Sequence, residues 1–410
     1  MHLLLIHEIF VTPEEGGGTR HYEFAKFLVQ HGHKVTVIAS NIDYLSGEKR
    51  KKKKELKEGI EIIYANTLSS VHSSFLSRGF AFLSFSISSF FEALKIKNVD
   101  IVMGTSPPLF QAFTSLLAAK LKKKKYVYEV RDLWLDFAKE LGVVKNKFIL
   151  GTLKKIENLL YRKSDLIIIN SPGFIPYVPS FMSKEKVALI PNGVSTKDFN
   201  VAVVKDKELE HKLGLSDKFV VMYAGNLGVA NDIGNILDTA ALLKNFSNIV
   251  FVLIGGGIRR EEIKKTIKTK RLKNVIVLDP VSKAEIPKVL SVADVCLATI
   301  KNIPLLQIVY PNKVFDYMAS GKPTILTIGG PIRKVIEDSR GGVYVPPGSP
   351  EKLKDAIISY YSNRKLVYIH GNNARDYVKS HFEREIIAKD FENVLSKILT
   401  NGNKARENNL

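Results

Sequence analysis

Short apolar runs alternate with amphipathic segments along the first half of the chain. Runs rich in Val, Ile and Leu predict strands at 2–9, 34–39, 59–64, 100–104, 126–130, 166–170 and 187–190. Apolar residues recur at helical spacing between several of them, which predicts helices at 21–31, 110–121 and 148–162. Because continuously apolar strands that alternate with helices build a parallel sheet covered on both faces, residues 1–195 are expected to form one Rossmann-like domain.

A second series of the same kind follows a polar stretch at 196–216, which we interpret as an interdomain linker. Strands are predicted at 219–223, 249–254, 275–278, 295–299, 323–326 and 342–345, and helices at 233–246, 261–270, 283–290, 314–319 and 350–361. Residues 217–373 therefore predict a second doubly wound α/β domain. Ligands of such sheets bind beyond the carboxyl ends of the strands, so the cleft between two facing sheets is the expected site.

No further strand is predicted near the end of the chain. A helix predicted at 374–399 has no sheet left to join, and we expect it to pack back towards the first domain. The last residues, 400–410, are polar and are expected to be disordered.

Composition is typical of a soluble globular protein. The 410 residues fit two domains, and 45% of them are hydrophobic. The single cysteine, Cys296, excludes an intrachain disulfide and is consistent with a reducing compartment. The first apolar run has no basic segment before it and no cleavage site after it, which favours a core strand over a signal peptide. We therefore expect a cytoplasmic location.

The net charge of +20 is spread over both halves, but two basic runs stand out at 49–54 and 122–125. Such a run is either a solvated surface segment or a site of attraction to a membrane leaflet or nucleic acid. Residues 75–94 are rich in Phe and Ser, and their uncharged centre at 79–91 is too short to span a membrane. This segment predicts a buried helix or an interfacial one. An interfacial helix beside basic runs would attach the protein peripherally to an anionic membrane surface.

The segment 310–324 combines a loop, a short helix and a tight stop. Pro311 breaks the preceding chain, apolar residues then recur at helical spacing, and Gly321 ends the helix. Lys313 and Asp316 lie in the first turns, where backbone N–H groups point outward and favour an anion. The pattern predicts a phosphate-binding helix start, and it is equally compatible with a short amphipathic helix that carries ordinary surface charges.

Glycine clusters follow predicted strands at three places, two of them with an arginine nearby. Glycine at a strand-to-helix turn lets the backbone approach a phosphate closely. Together the clusters predict a phosphorylated ligand, although the first alone could be a plain flexible loop. The residues concerned are Gly16, Gly17, Gly18 and Arg20 in the first domain, and Gly225, Asn226, Gly256 and Arg259 in the second.

A charged pair, Arg131 and Asp132, ends a predicted strand beside the only tryptophan, Trp134. The pair could be a local ion pair or a helix cap. Alternatively, Asp132 lies at the floor of the cleft, where it could position or deprotonate an acceptor hydroxyl. The sequence has no HExxH, Gly-x-Ser-x-Gly, Walker A or Asp-x-Asp motif, so hydrolase, NTPase and metal-dependent transferase chemistry are not indicated. We expect no metal and no cofactor.

In combination, these motifs resemble those of the retaining GT-B glycosyltransferases of family 4, over nearly the whole chain. The similarity is greatest to the branch that includes N-acetyl-fucosamine transferases of polysaccharide and O-antigen assembly. The motifs that carry the resemblance are Gly16–Gly18, Val130–Trp134, Ile190–Val194, Tyr223–Gly228, Pro311–Lys313, Asp316–Pro323 and Val345–Gly348.

The resemblance implies two facing Rossmann-like domains, a nucleotide sugar held mainly by the second, and transfer with retention and without a metal. It assigns the ribose hydroxyls to Asp316, the diphosphate to the glycine loop at 16–18, and the donor sugar and acceptor to the surroundings of Asp132. The catalytic candidates are Asp132 and Lys313. The substrate-binding candidates are Gly16, Gly17, Gly18, Arg20, Arg131, Gly225, Asn226, Gly256, Arg259, Val281, Asn312 and Asp316.

The chain departs from the family pattern where charge is expected. The first glutamate of the family's Glu-x7-Glu pair would stand at Ile308, and its second is Asp316. Asn226 and Asn231 replace the arginine and lysine that commonly bind the diphosphate. Compensation for the leaving diphosphate must then come from elsewhere, and we expect it from Lys313, with Arg259 or Arg20 assisting.

Three functions compete at this stage. A glycosyltransferase that moves a sugar, expected to be UDP-linked, to a glycan or lipid-linked acceptor at a membrane surface explains the motifs, the basic runs and the Phe-rich segment. A GT-B-fold sugar-nucleotide epimerase explains the nucleotide site but not the basic surface. A nucleic-acid-binding protein explains only the charge, and the sequence has no recognised module for it.

Overall fold

The computed structural model describes residues 1–43, 46–68, 75–140, 142, 144–202 and 204–407. The side chains of 75–78, 201 and 401–407 are outside this description. The chain forms two compact units, unit 1 with Met1–Pro191 and Glu385–Leu410, and unit 2 with Asn192–Arg384. Each unit is built on its own sheet.

The strands of the described chain follow the apolar runs closely. In chain order they are β1 His2–Ile6, β2 Lys34–Ser40, β3 Lys54–Lys57, β4 Ile60–Ala65, β5 Ile101–Ser106, β6 Lys125–Val130, β7 Leu166–Ile169, β8 Val187–Leu189, β9 Phe219–Ala224, β10 Ile249–Ile254, β11 Val275–Leu278, β12 Val295–Thr299, β13 Thr324–Thr327 and β14 Gly342–Tyr344.

The α-helices of the described chain lie between and after these strands. They are α1 Arg20–Gln30, α2 Phe75–Lys95, α3 Leu109–Lys122, α4 Trp134–Glu140, α5 Lys147–Lys163, α6 Lys207–Lys212, α7 Ile233–Leu242, α8 Arg260–Thr269, α9 Ile286–Ser291, α10 Asn312–Ala319, α11 Gly330–Ser339, α12 Pro350–Ser362, α13 Arg364–His381 and α14 Arg384–Glu407. Short 3-10 helices occupy Pro172–Tyr177, Lys184–Lys186, Thr196–Ala202, Lys283–Glu285 and Pro304–Ile308.

The sheet of unit 1 has the strand order β3-β4-β2-β1-β5-β6-β7-β8. All of its pairs are parallel except β3 with β4. The central strands are buried along their whole length, as expected when helices cover both faces of a parallel sheet. The final helix α14 packs on this unit, where the rings of Phe391 and Phe24 stack with their centroids 4.8 Å apart.

The sheet of unit 2 has the order β11-β10-β9-β12-β13-β14, and every pair is parallel. Phe219, Phe251 and Leu297 contribute to a core that shows almost no exposure to solvent. The chain enters this sheet at β9 and winds outward in both directions. The two doubly wound parallel sheets confirm the predicted α/β class.

Several parts of the sequence-based description differ from the structure. The charged segment Lys54–Lys57 forms the edge strand β3, which the basic run at 49–54 concealed. The predicted linker at 196–216 lies within unit 2, where it forms a 3-10 helix and α6 and buries Phe199 and Leu215. Residues 400–407, expected to be disordered, continue α14, and 408–410 lie outside the described residues.

The helix predicted at 374–399 is in fact two helices, α13 and α14. Between them Glu383 forms a parallel bridge with Val194, whose N–H donates to Phe382 O at 3.1 Å. The Glu383 carboxylate accepts a hydrogen bond from Thr196 N at 3.2 Å. The helix therefore breaks because the backbone leaves it to pair with the start of unit 2.

Candidate functional site

The strand order of unit 2 reverses beside β9, because β10 lies on one side of this strand and β12 on the other. Such a switch point opens a crevice at the carboxyl ends of the strands. Helix α10 is fastened there, since the Tyr317 hydroxyl donates to Ala224 O at 3.0 Å and accepts from Ala224 N at 2.9 Å. The first turn of α10 therefore lies next to the end of β9.

Two glycine-rich turns follow β9 and β10 and pack directly on each other. A Cβ on Gly255 would lie 2.0 Å from Gly225 O, and one on Gly257 would lie 2.5 Å from Asn226 Oδ1. Gly225 and Gly257 also have φ angles of 157° and 146°. Gly256 contributes its carbonyl, which accepts a hydrogen bond from Leu227 N at 2.7 Å, and a Cβ on it would make only ordinary contact with Pro280 at 3.7 Å. Loop-to-loop packing thus accounts for most of these glycines.

Lys313 lies in the first turn of α10 and reaches the β9 turn. Its Nζ donates to the Tyr223 hydroxyl at 2.7 Å and to Asn231 Oδ1 at 3.2 Å, and it lies 4.2 Å from the centre of the Tyr223 ring. No carboxylate among the described residues forms an ion pair with it. Burial lowers the pKa of the Lys313 ammonium to about 7. The site therefore holds a desolvated cation without a counter-ion.

Asp316, one turn further along α10, is engaged by a lysine that the sequence did not indicate. Lys283 Nζ lies 2.6 Å from both carboxylate oxygens of Asp316, and both side chains are largely buried. Lys283 begins a 3-10 helix whose capping box joins Ser282 and Glu285. The Ser-x-x-Glu pattern of the capping box can be recognised in the sequence. The pairing of Lys283 with Asp316 cannot, because it arises from the order of the strands.

The remaining predicted residues of unit 2 lie around this point with different roles. Asn226 accepts hydrogen bonds at its backbone carbonyl from the Tyr223 hydroxyl at 2.8 Å and from Asn231 Nδ2 at 2.9 Å. Asn312 is exposed at the start of α10, and Val281 is half-buried in the turn after β11. Ile308, at the position of the family's first glutamate, is the last residue of the 3-10 helix Pro304–Ile308 and brings no carboxylate to the site.

Arg259, predicted to assist with the diphosphate, forms an ion pair with a glutamate of the helix that follows it, α8. Its Nε donates to Glu262 Oε2 at 2.8 Å, and its Nη2 to Glu262 Oε1 at 2.5 Å. This hydrogen-bonded neighbour raises the pKa of Arg259. Arg259 therefore brings its counter-ion with it, unlike Lys313.

In unit 1 the glycine loop at 16–18 precedes α1, and Gly17 has a φ of 130°. A phosphate-binding Arg20 would extend into this loop, but its side chain does not do so. Its side chain is buried, with Nε 3.2 Å from Glu129 Oε1 and Nη2 2.7 Å from Ile190 O. The guanidinium is thus used inside unit 1, because a buried charge needs partners on every side. The glycine loop itself remains a predicted diphosphate contact.

Glu129 anchors a buried group of charges below the carboxyl end of β6. It accepts hydrogen bonds from Arg20 and His21, and its side chain is fully buried. Burial alone would raise the pKa of Glu129, but the charges of His21 and Arg20 outweigh this and lower it to about 2. The group fixes the start of α1 against the sheet.

Arg131 and Asp132 follow β6 at the same end of the sheet. Arg131 Nη1 donates to His7 Nε2 at 3.1 Å, so Nε2 is the acceptor nitrogen of the ring. A neutral His7 therefore carries its proton on Nδ1, and this N–H donates to Thr105 Oγ1 at 2.8 Å. Burial and the charges of His21 and Arg131 lower the pKa of His7 well below its usual value. A neutral histidine therefore orients the guanidinium.

Asp132 is half-buried, and no hydrogen bond from a described residue reaches its carboxylate. Burial raises the pKa of this carboxyl to about 6, against the opposing charge of Arg131. A carboxylate with that pKa can hold or accept the proton of a hydroxyl near neutral pH. The role of Asp132 at an acceptor hydroxyl stays a prediction.

Glu8, which follows β1 at this end of the sheet, was missed from the sequence. The residue is 2% exposed, and neither carboxylate oxygen has a hydrogen-bond partner among the described residues. Burial raises its pKa to about 8. Its place inside the apolar run at 2–9, where a carboxylate is unusual, was the signal that could have drawn attention to it.

Two family models match the chain. The one described as Glycosyltransferase Family 4 matches residues 15–198, mainly in unit 1. The one described as Glycosyl transferases group 1 matches residues 218–363, within unit 2. Both halves of the molecule are therefore recognised as parts of glycosyltransferases.

A relative in Escherichia coli (strain K12), provisionally named as the colanic acid biosynthesis glycosyl transferase WcaI, is 24% identical over 411 residues, covering 95% of this chain and 98% of the relative. Sucrose-phosphate synthase from Thermosynechococcus elongatus superposes with a TM-score of 0.74 at 18% identity, covering 97% of this chain and 99% of that one. Anabaena Alr3699/HepE, solved in complex with UDP and glucose, gives 0.73 at 17% identity, with 96% and 99% covered. These structures establish the fold.

Of the three classes of function considered from the sequence, the comparisons therefore support a glycosyltransferase. The chain carries a glycosyltransferase family 4 domain followed by a glycosyl transferases group 1 domain, and it is a glycosyltransferase with the GT-B fold.

Proposed function

We propose that the protein transfers a sugar from a nucleotide diphosphate sugar, UDP-linked in our proposal, to a hydroxyl of a glycan or lipid-linked acceptor in cell-surface polysaccharide synthesis. The relative named for colanic acid biosynthesis supports the product class, and the HepE complex with UDP and glucose supports the donor class. Retention at the anomeric carbon, independence of metals and the N-acetyl-fucosamine transferase-like branch belong to the same proposal and rest on the motifs alone.

The observation that carries the proposal is the ammonium of Lys313. A lysine removed from water loses hydration that only a counter-ion or strong acceptors can replace. Here the partners are a phenol and an amide, both neutral. A diphosphate at the first turn of α10 would supply the missing negative charge, and it would also lie at the positive end of the helix dipole.

The same contacts suggest how the leaving group is stabilised. Negative charge grows on the diphosphate as the bond to the sugar breaks, so a fixed cation nearby is worth more in the transition state than in the ground state. Asn226 and Asn231 are neutral, and Arg259 is paired with Glu262. Lys313 is therefore assigned the main part of this stabilisation.

Asp316 is proposed to hold the ribose. Each of its carboxylate oxygens receives one hydrogen bond from Lys283 and retains a second acceptor site, which a ribose hydroxyl can use. Lys283 then acts as a positioning residue, because it fixes the direction of the carboxylate. In unit 1, Asp132 is proposed to position or deprotonate the acceptor hydroxyl, with His7 orienting the neighbouring Arg131.

Calorimetric titration with UDP, GDP and ADP, followed by turnover of the corresponding sugar nucleotides, tests the proposal. We expect UDP to bind most tightly, and we expect release of UDP from a UDP-sugar to depend on a polyprenyl-linked acceptor. Activity that persists in EDTA and a product with the anomeric configuration of the donor are expected for a retaining, metal-independent enzyme. Failure of all three nucleotides to bind would contradict the assignment of the site, and interconversion of the donor sugar would favour an epimerase.

A further inference from the structure

Helix α2 exposes an apolar stripe that the fold does not cover. Phe80, Leu83, Ile87, Phe91 and Leu94 follow one another at intervals of three or four residues, which places them on one face of the helix. Their exposed fractions are 64%, 49%, 53%, 58% and 38%. The opposite face, with Ala81, Phe85, Ser89 and Ala93, is buried against the rest of unit 1. The helix therefore carries apolar side chains on its solvent-exposed face as well as on its buried face.

The neighbouring helix α3 extends this surface. The two helices are joined where the Thr114 hydroxyl donates to Ser86 O at 3.3 Å, and where Lys122 Nζ donates to Leu94 O at 3.1 Å. Leu117 and Leu121 of α3 are 38% and 63% exposed. We name the five exposed residues of α2 and these two leucines the apolar patch. A patch of large side chains this extended marks an interaction surface.

Charge is absent from the middle of the patch and concentrated at one end. Residues 79–91 contain no charged side chain. At the carboxyl ends of the two helices stand four exposed lysines that form no ion pair with any described residue, and we name them the lysine rim. They are Lys97, Lys120, Lys123 and Lys124.

The other basic run, at 49–54, has exposed lysines as well, but it leads into an edge strand rather than an exposed apolar helix. At 49–54, Arg50 is tied to Glu15 and Asp43 and lies over the ring of Tyr64. Lys54 belongs to the edge strand β3. The lysine rim, by contrast, adjoins an exposed apolar helix face. That combination of buried apolar area and basic charge is what attachment to a membrane surface requires.

We propose that the apolar patch and the lysine rim dock on a lipid bilayer that carries anionic headgroups, with α2 lying in the interface. Among the described residues, no helix is long and apolar enough to cross a membrane. A second copy of the chain fits this surface poorly, because the patch contains no acidic residue that could pair with a partner's lysine rim, and both chains carry a net charge of +20. The biological role of the contact, delivery of the enzyme to a lipid-linked acceptor, rests on the proposed function, whereas the contact itself does not.

Sedimentation with vesicles of phosphatidylcholine, with and without phosphatidylglycerol, tests the proposal on the full chain. We expect binding to the anionic vesicles, weakened by salt because charge contributes. The double variant Ile87→Ser with Phe91→Ser should lower the partition coefficient by about ten-fold or more, since each removes exposed apolar area that the bilayer would bury. Lys120→Gln with Lys124→Gln should lower it by about five-fold per lysine, and only for anionic vesicles.

A matched control removes the same two residue types elsewhere. Ile369 and Phe246 of unit 2 are 39% and 44% exposed, and changing both to Ser should leave vesicle binding within about two-fold of wild type. Wild-type binding by the Ile87→Ser, Phe91→Ser variant would overturn the proposal. So would a wild-type dimer that this variant dissociates, since the patch would then join two chains. UDP affinity, measured on the same variants, is expected to be unchanged, so a failure of the nucleotide site would show separately.

Discussion

The pKa of Lys313 predicts that nucleotide affinity falls as the pH rises above 7. Burial lowers this pKa to about 7, so half of the free protein carries a neutral amine at neutral pH. A bound diphosphate favours the charged form and raises the pKa in the complex. Binding is therefore coupled to the uptake of a proton. Where Lys313 is uncharged in the free protein, its protonation reduces the net affinity for the nucleotide.

The size of the effect follows from the protonated fraction. About one half of Lys313 is charged at pH 7 and about one hundredth at pH 9, so the apparent Kd for UDP should rise by up to about 50-fold between these values. The second ionisation of a phosphate group is near pH 6, so the ligand itself stays ionised over this range. The rise will be smaller if the pKa in the complex lies below 9.

Isothermal titration calorimetry with UDP at pH 7, 8 and 9 measures this dependence. The control is Lys313→Met, which keeps most of the length of the side chain and removes its charge. Its Kd should be higher at pH 7 and nearly constant up to pH 9. Glu8, whose pKa is about 8, is present in both proteins, so any contribution from its titration appears in both curves. A wild-type Kd that changes by less than about two-fold, or an equal slope in Lys313→Met, would refute the role of the ammonium.

Three further predictions concern acidic residues. Asp316→Asn should raise the donor KM with little change in kcat, because it weakens ribose binding; an unchanged KM in steady-state assays would remove the ribose assignment. Asp132→Asn should abolish an inflection near pH 6 in the pH profile of kcat/KM, and a profile that keeps it would assign that pKa to another group. Glu8→Gln should raise the free energy of unfolding at pH 7 by up to about 3 kcal/mol, measured in urea. Folding raises the pKa of Glu8 from 4.5 to about 8, so its cost is absent below pH 4.5 and grows as the pH rises towards 8; equal stabilisation at pH 4 and pH 7 would contradict this cause.

Much of the fold was predictable because its strands are short, continuously apolar and fully buried. β1, β5, β9 and β10 lie where the apolar runs predict them. The edge strand β3 was not predictable in this way, since its sequence Lys-Glu-Leu-Lys is charged and its stability comes from pairing with β4. The break between α13 and α14 was hidden as well, because it arises from pairing with Val194, far away in sequence.

The candidate site was predictable where one segment contains both the helix start and its functional side chains. Lys313 and Asp316 lie in the first two turns of α10, as the pattern at 310–324 indicates. Lys283 could not be assigned to Asp316 because the two meet only through the order of the strands. The carboxylates that pair with Arg20 and Arg259 were hidden for a related reason, since these contacts depend on the fold, and the phosphate roles of the two arginines stay predictions.

A crystal structure of the protein with UDP would test the central claim most directly. The account predicts density for the diphosphate at the first turn of α10, with a β-phosphate oxygen about 2.7–3.2 Å from Lys313 Nζ and a ribose hydroxyl on Asp316. A complex in which UDP binds elsewhere, while Lys313 Nζ stays on the Tyr223 hydroxyl and Asn231 Oδ1, would contradict it.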